Sequence, residues 1–365
     1  MRLRQAIHDL EPYIAGRSEA SIQREFQLSD VVKLGSNESP LGPFPGVAQA
    51  LIPLLGGLNR YPEQDFVLAE ELAAFWDVPV DRIQLGNGVD PIIGWLCSAF
   101  LEPGDEVVMA APSFVSYALD AQKAGGVAVK VPLVDGSNDL VAMSQAVTER
   151  TRLMFVCSPN NPTGGIVGAE ALSWLLDQVP DHVLVVVDEA YAEYVVDPSY
   201  PNVVADHVRR GANVAVLRTF SKLYGLAGLR VGYCVADEEV VSALGRIRHY
   251  FDVSDLAHVA ATVSLRDQAE VERRRAFNLE ARAAFEGVLD GWGLRCLPSH
   301  TNFVAFEVPD SERLAAELMR RGVITRPLGS FGGKDLLRIT VGLPAEMERV
   351  VEELGRVFER PIACK

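Results

Sequence analysis

The sequence predicts an α/β fold in two parts, a large domain on a mostly parallel sheet and a small α+β domain. Three observations predict it. Between about 64 and 218, short apolar runs alternate with stretches of helical periodicity. That rhythm implies parallel strands with helices covering both faces of the sheet. Near 240 the pattern changes to long helices and then to a few short strands. Finally, polar segments stand directly after several predicted strands, where parallel sheets place their ligands.

The elements follow in order. A helix over 64–77 leads to GNGVD (86–90), which opens an apolar helix over 91–101. Strands are expected at 105–110, 127–131, 152–157, 182–188 and 213–218, and helices at 114–124, 139–149, 168–178 and 202–210. A further apolar run, RVGYCVA, begins at Arg230. Beyond it, VVSALGRIRHYFDVSDLAHVAATVSL and the Arg/Glu-rich stretch 268–288 read as long helices. The chain ends with TNFVAFEV, a helix over 311–321, GVITRPL, LLRITVGL and a helix over 344–357. The 365 residues suit about two domains at roughly 150 residues each. The expected division is an arm over 1–39 packing on the small domain, a large domain over 40–245 and a small one over 246–365.

Composition removes several classes of function. A net charge of −15 argues against non-specific nucleic-acid or anionic-membrane binding, which needs basic surfaces. The apolar run VLVVV (183–187) is far too short to span a bilayer, and MRLRQAIHDLEPY has no apolar signal core. Five cysteines without a CxxC pair fit a reducing cytoplasm, and six histidines without HxH or HxxxH spacing give no metal site.

Lys222 stands between two predicted core strands, in TFSKLYGLAGLRVGY (219–233). A lysine so close to a core is paired, reactive or snorkelling to water. Its companions each have a plain reading as well. GNGVD serves as a turn and helix cap, or as an anion site at a helix start. SPNNPTGG (158–165) reads as a turn, Asp188 in DEAY (188–191) as a cap and Arg230 as a surface ion pair. The loops that follow neighbouring strands converge, so these groups have the means to share one pocket.

Taken together and in this order, PNNPTG, DEAY and TFSKLYGLAGLRVGY resemble the fold-type I pyridoxal-phosphate aminotransferases of class I/II. The nearer likeness is to their histidinol-phosphate aminotransferase branch. EPY (11–13), SNESPLGP (36–43), NRYP (59–62), PSFVSY (112–117) and LRITVG (337–342) extend it over nearly the whole chain.

The resemblance implies a seven-stranded-type sheet and a pyridoxal 5'-phosphate cofactor bonded to Lys222. A lysine takes that role only if its amine is neutral part of the time, so a lowered pKa is expected. Freed by the substrate amine, Lys222 becomes the base at the substrate carbon. Asp188 is implied at the pyridine nitrogen, Asn161 and Tyr191 at the phenolic oxygen and Phe114 against the ring face. The 27 residues from Asn161 to Asp188 fit one strand–helix–strand unit ending at the same sheet edge. The phosphate falls to Thr219, Ser221, the Val89 and Asp90 backbone N–H groups and Arg230. Tyr61 is implied to reach it from the other subunit of a homodimer.

On the substrate side the resemblance implies Arg338, with Arg326, Tyr13 and Asn161 near it. The activity implied is reversible ping-pong exchange between histidinol phosphate and 2-oxoglutarate, giving imidazole-acetol phosphate and glutamate in histidine biosynthesis. An aromatic or other amino-acid transaminase is the alternative, and decarboxylation of a phosphorylated amino acid a further one. A non-enzymatic relative fits poorly with an intact Lys222, Asp188, Asn161 and Arg230 set. A nicotinamide enzyme lacks its GxGxxG signature. Three positions bear on the branch. Asp252 stands where asparagine is usual, bringing a charge unfavourable to an anionic substrate, and Ser254 resembles aromatic transaminases. Pro91 replaces a frequent acidic residue, as a good first helical residue.

Overall fold

The computed structural model describes residues 5–8, 10, 16–62 and 67–359. Strands β1 (Val32–Lys33), β2 (Ile83–Gly86), β3 (Glu106–Ala111), β4 (Val127–Pro132), β5 (Thr151–Cys157), β6 (Leu184–Asp188), β7 (Val214–Thr219) and β8 (Gly232–Val235) come first. β9 (Phe303–Glu307), β10 (Val323–Ile324), β11 (Arg326–Pro327) and β12 (Leu336–Thr340) follow. The main sheet has seven strands in the order β2-β8-β7-β6-β5-β3-β4. All its pairs from β7 to β4 are parallel, whereas β8 is antiparallel to both β7 and β2.

The central strands are apolar throughout because both faces are covered. Side chains alternate across a strand. Val185 and Val187 of β6 enter one core layer with Met154, Val156, Val214 and Val216. Leu184 and Val186 enter the opposite layer with Leu153, Phe155, Ala215 and Leu217. Crossover helices such as Val115–Ala124 and Ala169–Gln178 return each strand to the same edge, so the carboxyl ends of β5, β6 and β7 lie side by side.

Several elements differ from the sequence expectation: the helix expected over 139–149 is Leu140–Gln145, and the helical stretch from 240 is broken between Glu238–Ile247 and Asp255–Arg266. No strand is predicted at β2, whose four residues, with Gln84 among them, are too few to show a period. The helix expected over 202–210 is a single turn, Val203–Asp206, followed by the 3-10 turn Val208–Arg210. His207, at φ −128° and ψ −56°, interrupts the two.

The smaller layer is the antiparallel sheet β11-β12-β9 packed on the helices Ser311–Arg320, Pro344–Val357 and part of Gln268–Gly291. β1 pairs in parallel with β10, tying the segment before Asn37 to that layer. Helix Asp255–Arg266 lies instead against Val47–Leu51 and Val67–Trp76. Its Ala257, Ala260, Ala261 and Leu265 join the large core, small side chains allowing the close approach. Among the described residues, no helix is long and apolar enough to cross a membrane, and no group of three His, Cys, Asp or Glu could hold a metal.

Candidate active site

A cavity opens at the carboxyl ends of β5, β6 and β7. Val89, Asp90, Phe114, Asn161, Asp188, Tyr191, Thr219, Ser221, Lys222 and Arg230 line it, with Cys157 and Ala190. The topology accounts for this convergence: Asn161 follows β5, Asp188 ends β6 and Lys222 follows β7.

Asp188 is 3% exposed. Its Oδ1 accepts the Ala190 N–H at 3.0 Å and its Oδ2 the Tyr117 hydroxyl at 2.6 Å. Burial raises its pKa to about 6, against the pull of those two hydrogen bonds. Lys222 Nζ lies 5.4 Å from the Tyr191 ring centre. Burial first, and then the Arg338 charge, lower its pKa to about 8. The lysine is therefore neutral part of the time near neutral pH, as a carbonyl-bonding amine requires.

Tyr191 is buried, and its hydroxyl accepts from Asn37 Nδ2 at 2.9 Å. Asn37 has the left-handed φ of 54° that Asn tolerates, and its N–H donates to Thr340 Oγ1 of β12 at 3.0 Å. The N-terminal segment thus joins Tyr191 to the small sheet. Arg338 of β12 donates to Asn161 Oδ1 and, at 2.9 Å, to the Gly35 carbonyl, with its guanidinium 5.1 Å from the Phe303 ring centre. Arg326 stands opposite Arg338 in the β11–β12 register, so both arginines occupy one face of that sheet.

The other end of the cavity is a cradle for an anion. Helix Val89–Phe100 begins there, its first N–H groups unpaired within the helix. Gly88 has φ 84°, which the turn takes from glycine, and a Cβ at that position would lie 2.5 Å from Arg230 Nη2, so the guanidinium would have to shift. Thr219 Oγ1 donates to Ser221 Oγ at 3.0 Å. Arg230 donates to the Ala227 carbonyl at 3.1 Å and lies 3.6 Å from Asp90. A partly neutral amine, a buried carboxylate and an anion cradle fit the aldehyde, ring nitrogen and phosphate of pyridoxal phosphate. Phe114 lines the wall between them, edge-on to Tyr117 with centres 5.6 Å apart.

Not every expected residue joins this cavity. Tyr61 is 77% exposed and stacks on Phe251 at 4.6 Å, outside the lining. Tyr13 lies outside the described residues. Asp252 Oδ2 accepts the Asn87 N–H at 2.7 Å, while Asn87 Nδ2 donates to the Asp252 carbonyl at 3.0 Å. The unusual charge thus clamps the loop that opens helix Val89–Phe100. Pro91 sits in that helix's first turn, where a missing N–H breaks no bond.

Sequence reasoning assigned no role to Tyr117, Asn37 or Cys157. It also missed a second ionic group beside Asp188. Arg218 Nε lies 2.8 Å from Glu189 and its Nη1 3.0 Å from Glu193, with the guanidinium 4.8 Å from the Trp76 ring centre. Tyr200 donates to the Ser158 carbonyl at 2.5 Å, tying the loop after β5 to this group. Only an arginine in a strand hinted at it.

Comparison with known proteins agrees with this geometry. The family described as aminotransferase class I and II matches residues 29–354. A histidinol-phosphate aminotransferase of Moorella thermoacetica is 44% identical over 360 residues, 98% of this chain and 93% of that protein. Its counterpart in Symbiobacterium thermophilum is 42% identical over 357 residues, covering 96% and 97%. The crystal structure of histidinol-phosphate aminotransferase from Sinorhizobium meliloti in complex with pyridoxal-5'-phosphate superposes with a TM-score of 0.90 at 28% identity, covering 98% of each chain. This chain therefore belongs to the aminotransferase class I and II family.

Proposed function

We propose that this chain is a pyridoxal 5'-phosphate-dependent aminotransferase that exchanges an amino group between histidinol phosphate and 2-oxoglutarate. The observation that carries the reading is the convergence of Lys222, Asp188, Asn161, Tyr191 and Arg230 on one cavity. The substrate choice is supported by relatives of that activity at 44% and 42% identity over nearly the full chain.

When bound, pyridoxal phosphate supplies an aldehyde that bonds to amines and a ring that withdraws electrons from them. The chain's residues do the rest. Ser221, Thr219, Arg230 and the start of helix Val89–Phe100 hold the phosphate. Asp188 holds the proton on the ring nitrogen, Asn161 and Tyr191 take the phenolic oxygen, and Phe114 covers a face. Lys222 Nζ, neutral in part because its pKa is about 8, accepts the proton from the substrate carbon bearing the amine. Arg338 and Arg326 on their common face bind the substrate's phosphate, or the carboxylate of the 2-oxo acid.

The active form is a homodimer in the cytoplasm, with the partner's Tyr61 reaching the phosphate. Ile52, Leu55, Leu58 and Tyr250 are all more than half exposed, and with the Tyr61–Phe251 stack they offer an apolar surface to a second copy. The test is one half-reaction. Cofactor-loaded protein is mixed with histidinol phosphate, and separately with phenylalanine, without a 2-oxo acid. Loss of the visible cofactor absorption at low histidinol phosphate is expected. A response to phenylalanine alone would replace the substrate assignment with the aromatic one.

A further inference from the structure

We propose that Tyr117 is the positioning residue of the cofactor site: its hydroxyl fixes the Asp188 carboxylate while its ring braces Phe114. The proposal rests on the pyridoxal-phosphate reading. Those two residues are the ones assigned to the ring nitrogen and the ring face, and both are mounted on one side chain.

Tyr117 is fully buried in helix Val115–Ala124, one turn beyond Phe114. Its ring stacks on Phe155 of β5, with centres 4.5 Å apart and planes 8° from parallel. Its edge-to-face contact with Phe114, at 81°, sets the tilt of that wall. The hydroxyl then reaches Asp188 Oδ2 at 2.6 Å, leaving the Ala190 N–H to hold Oδ1. One donor on each oxygen stops the carboxylate from rotating. The other titratable groups facing Asp188 are Cys157, its partner in the β5–β6 register, together with Tyr191, Lys222 and Asp90. The Cys157 thiol is itself pushed up to about 12 by burial and stays neutral. Tyr117 stays neutral too, because burial raises its pKa, so it remains a donor across the working pH range. A buried carboxylate without that donor holds its own proton more tightly and loses its grip on the ring-nitrogen proton.

The experiment uses the cofactor-free full chain. The Asp188 carboxyl is titrated by difference infrared spectroscopy, with Asp188→Asn as the blank, in the parent, Tyr117→Phe and Phe155→Leu. Tyr117→Phe keeps the ring and its stacking but removes the donor. Its midpoint is expected to rise by about 1 pH unit, a tenfold tighter hold on the proton. Phe155→Leu removes the stacking partner, and is expected to lower Tm without moving the midpoint. With pyridoxal phosphate added, the cofactor Kd of Tyr117→Phe is expected to rise about tenfold. Equal midpoints in the parent and Tyr117→Phe overturn the positioning role, as does an equal shift in Phe155→Leu, which would make the effect one of packing. A parent chain that binds no pyridoxal phosphate overturns the functional reading while the midpoints still differ, so the two failures are separable.

Discussion

Asp188 and Glu189 are consecutive buried residues, and burial raises the pKa of both, but their partners differ in kind. Glu189 meets Arg218 at 2.8 Å, Glu193 meets the same guanidinium at 3.0 Å, and Trp76 covers it. Burial alone would lower the Arg218 pKa, but the two carboxylates overcome this and hold the guanidinium charged. Asp188 receives two hydrogen bonds from neutral donors, and burial raises its pKa to about 6. Lys222, on the same side, is lowered to about 8. One cluster sets two carboxylates on one guanidinium and holds the chain in place. The other is left open at a stability cost, as sites built for a charged ligand are.

The largest effect that sharpens this contrast comes from Lys222→Ala. Turnover is expected to fall by about four powers of ten or more, since no other amine lines the cavity among the described residues. Borohydride treatment with pyridoxal phosphate should mark the Lys222 peptide in the parent and no peptide in the variant. A mark elsewhere would relocate the cofactor bond.

Asp188→Asn should cut kcat by several powers of ten and yet stabilise the cofactor-free chain. The folded-state pKa of about 6 lies above the ordinary carboxylate value, so the folded chain binds more protons between about pH 4 and 6. Its stability falls as pH rises through that window, and the asparagine variant escapes the fall. The Tm difference between the two should open from pH 4 to 6 and then stay level. Lys222→Met mirrors this: its Tm advantage should be full below pH 8 and fade towards 10.5. Arg218→Met should do the reverse of both, losing about 3–5 kcal/mol, because Glu189 and Glu193 are left buried without a cation. An unchanged Tm in Arg218→Met would break the distinction between the paired and open clusters.

The two clusters also differ in how legible they were. Asp188, Lys222 and Asn161 stand at or just after the ends of strands whose continuous apolar runs are plain in sequence, Arg230 precedes the next one, and their motifs carry a family resemblance. The partners that tune them do not. Tyr117 meets Asp188 across 71 positions, and Asn37 meets Tyr191 across 154. Local periodicity carries no trace of such pairings. Arg218 closes the expected strand 213–218, and a lone charge there does not point to Glu189 and Glu193 as its partners. β2 escaped for a different reason: a four-residue edge strand has one neighbour to satisfy and little pattern to show.

Arg338→Ala should raise KM for histidinol phosphate about 100-fold, as loss of a charge-assisted pair does, with kcat less affected. An unchanged KM would move the anion to Arg326 alone. The smallest effect belongs to Asp252. From sequence alone its charge opposes an anionic substrate, but its Oδ2 is engaged with the Asn87 N–H at 2.7 Å, at the start of a helix whose dipole favours an anion. Asp252→Asn keeps an acceptor and removes the charge, so KM for histidinol phosphate should stay within about twofold at ordinary salt. A tenfold fall in KM that disappears at high ionic strength would show the carboxylate's field reaching the substrate. Asp252 would then act as a repulsive element that disfavours phosphorylated donors.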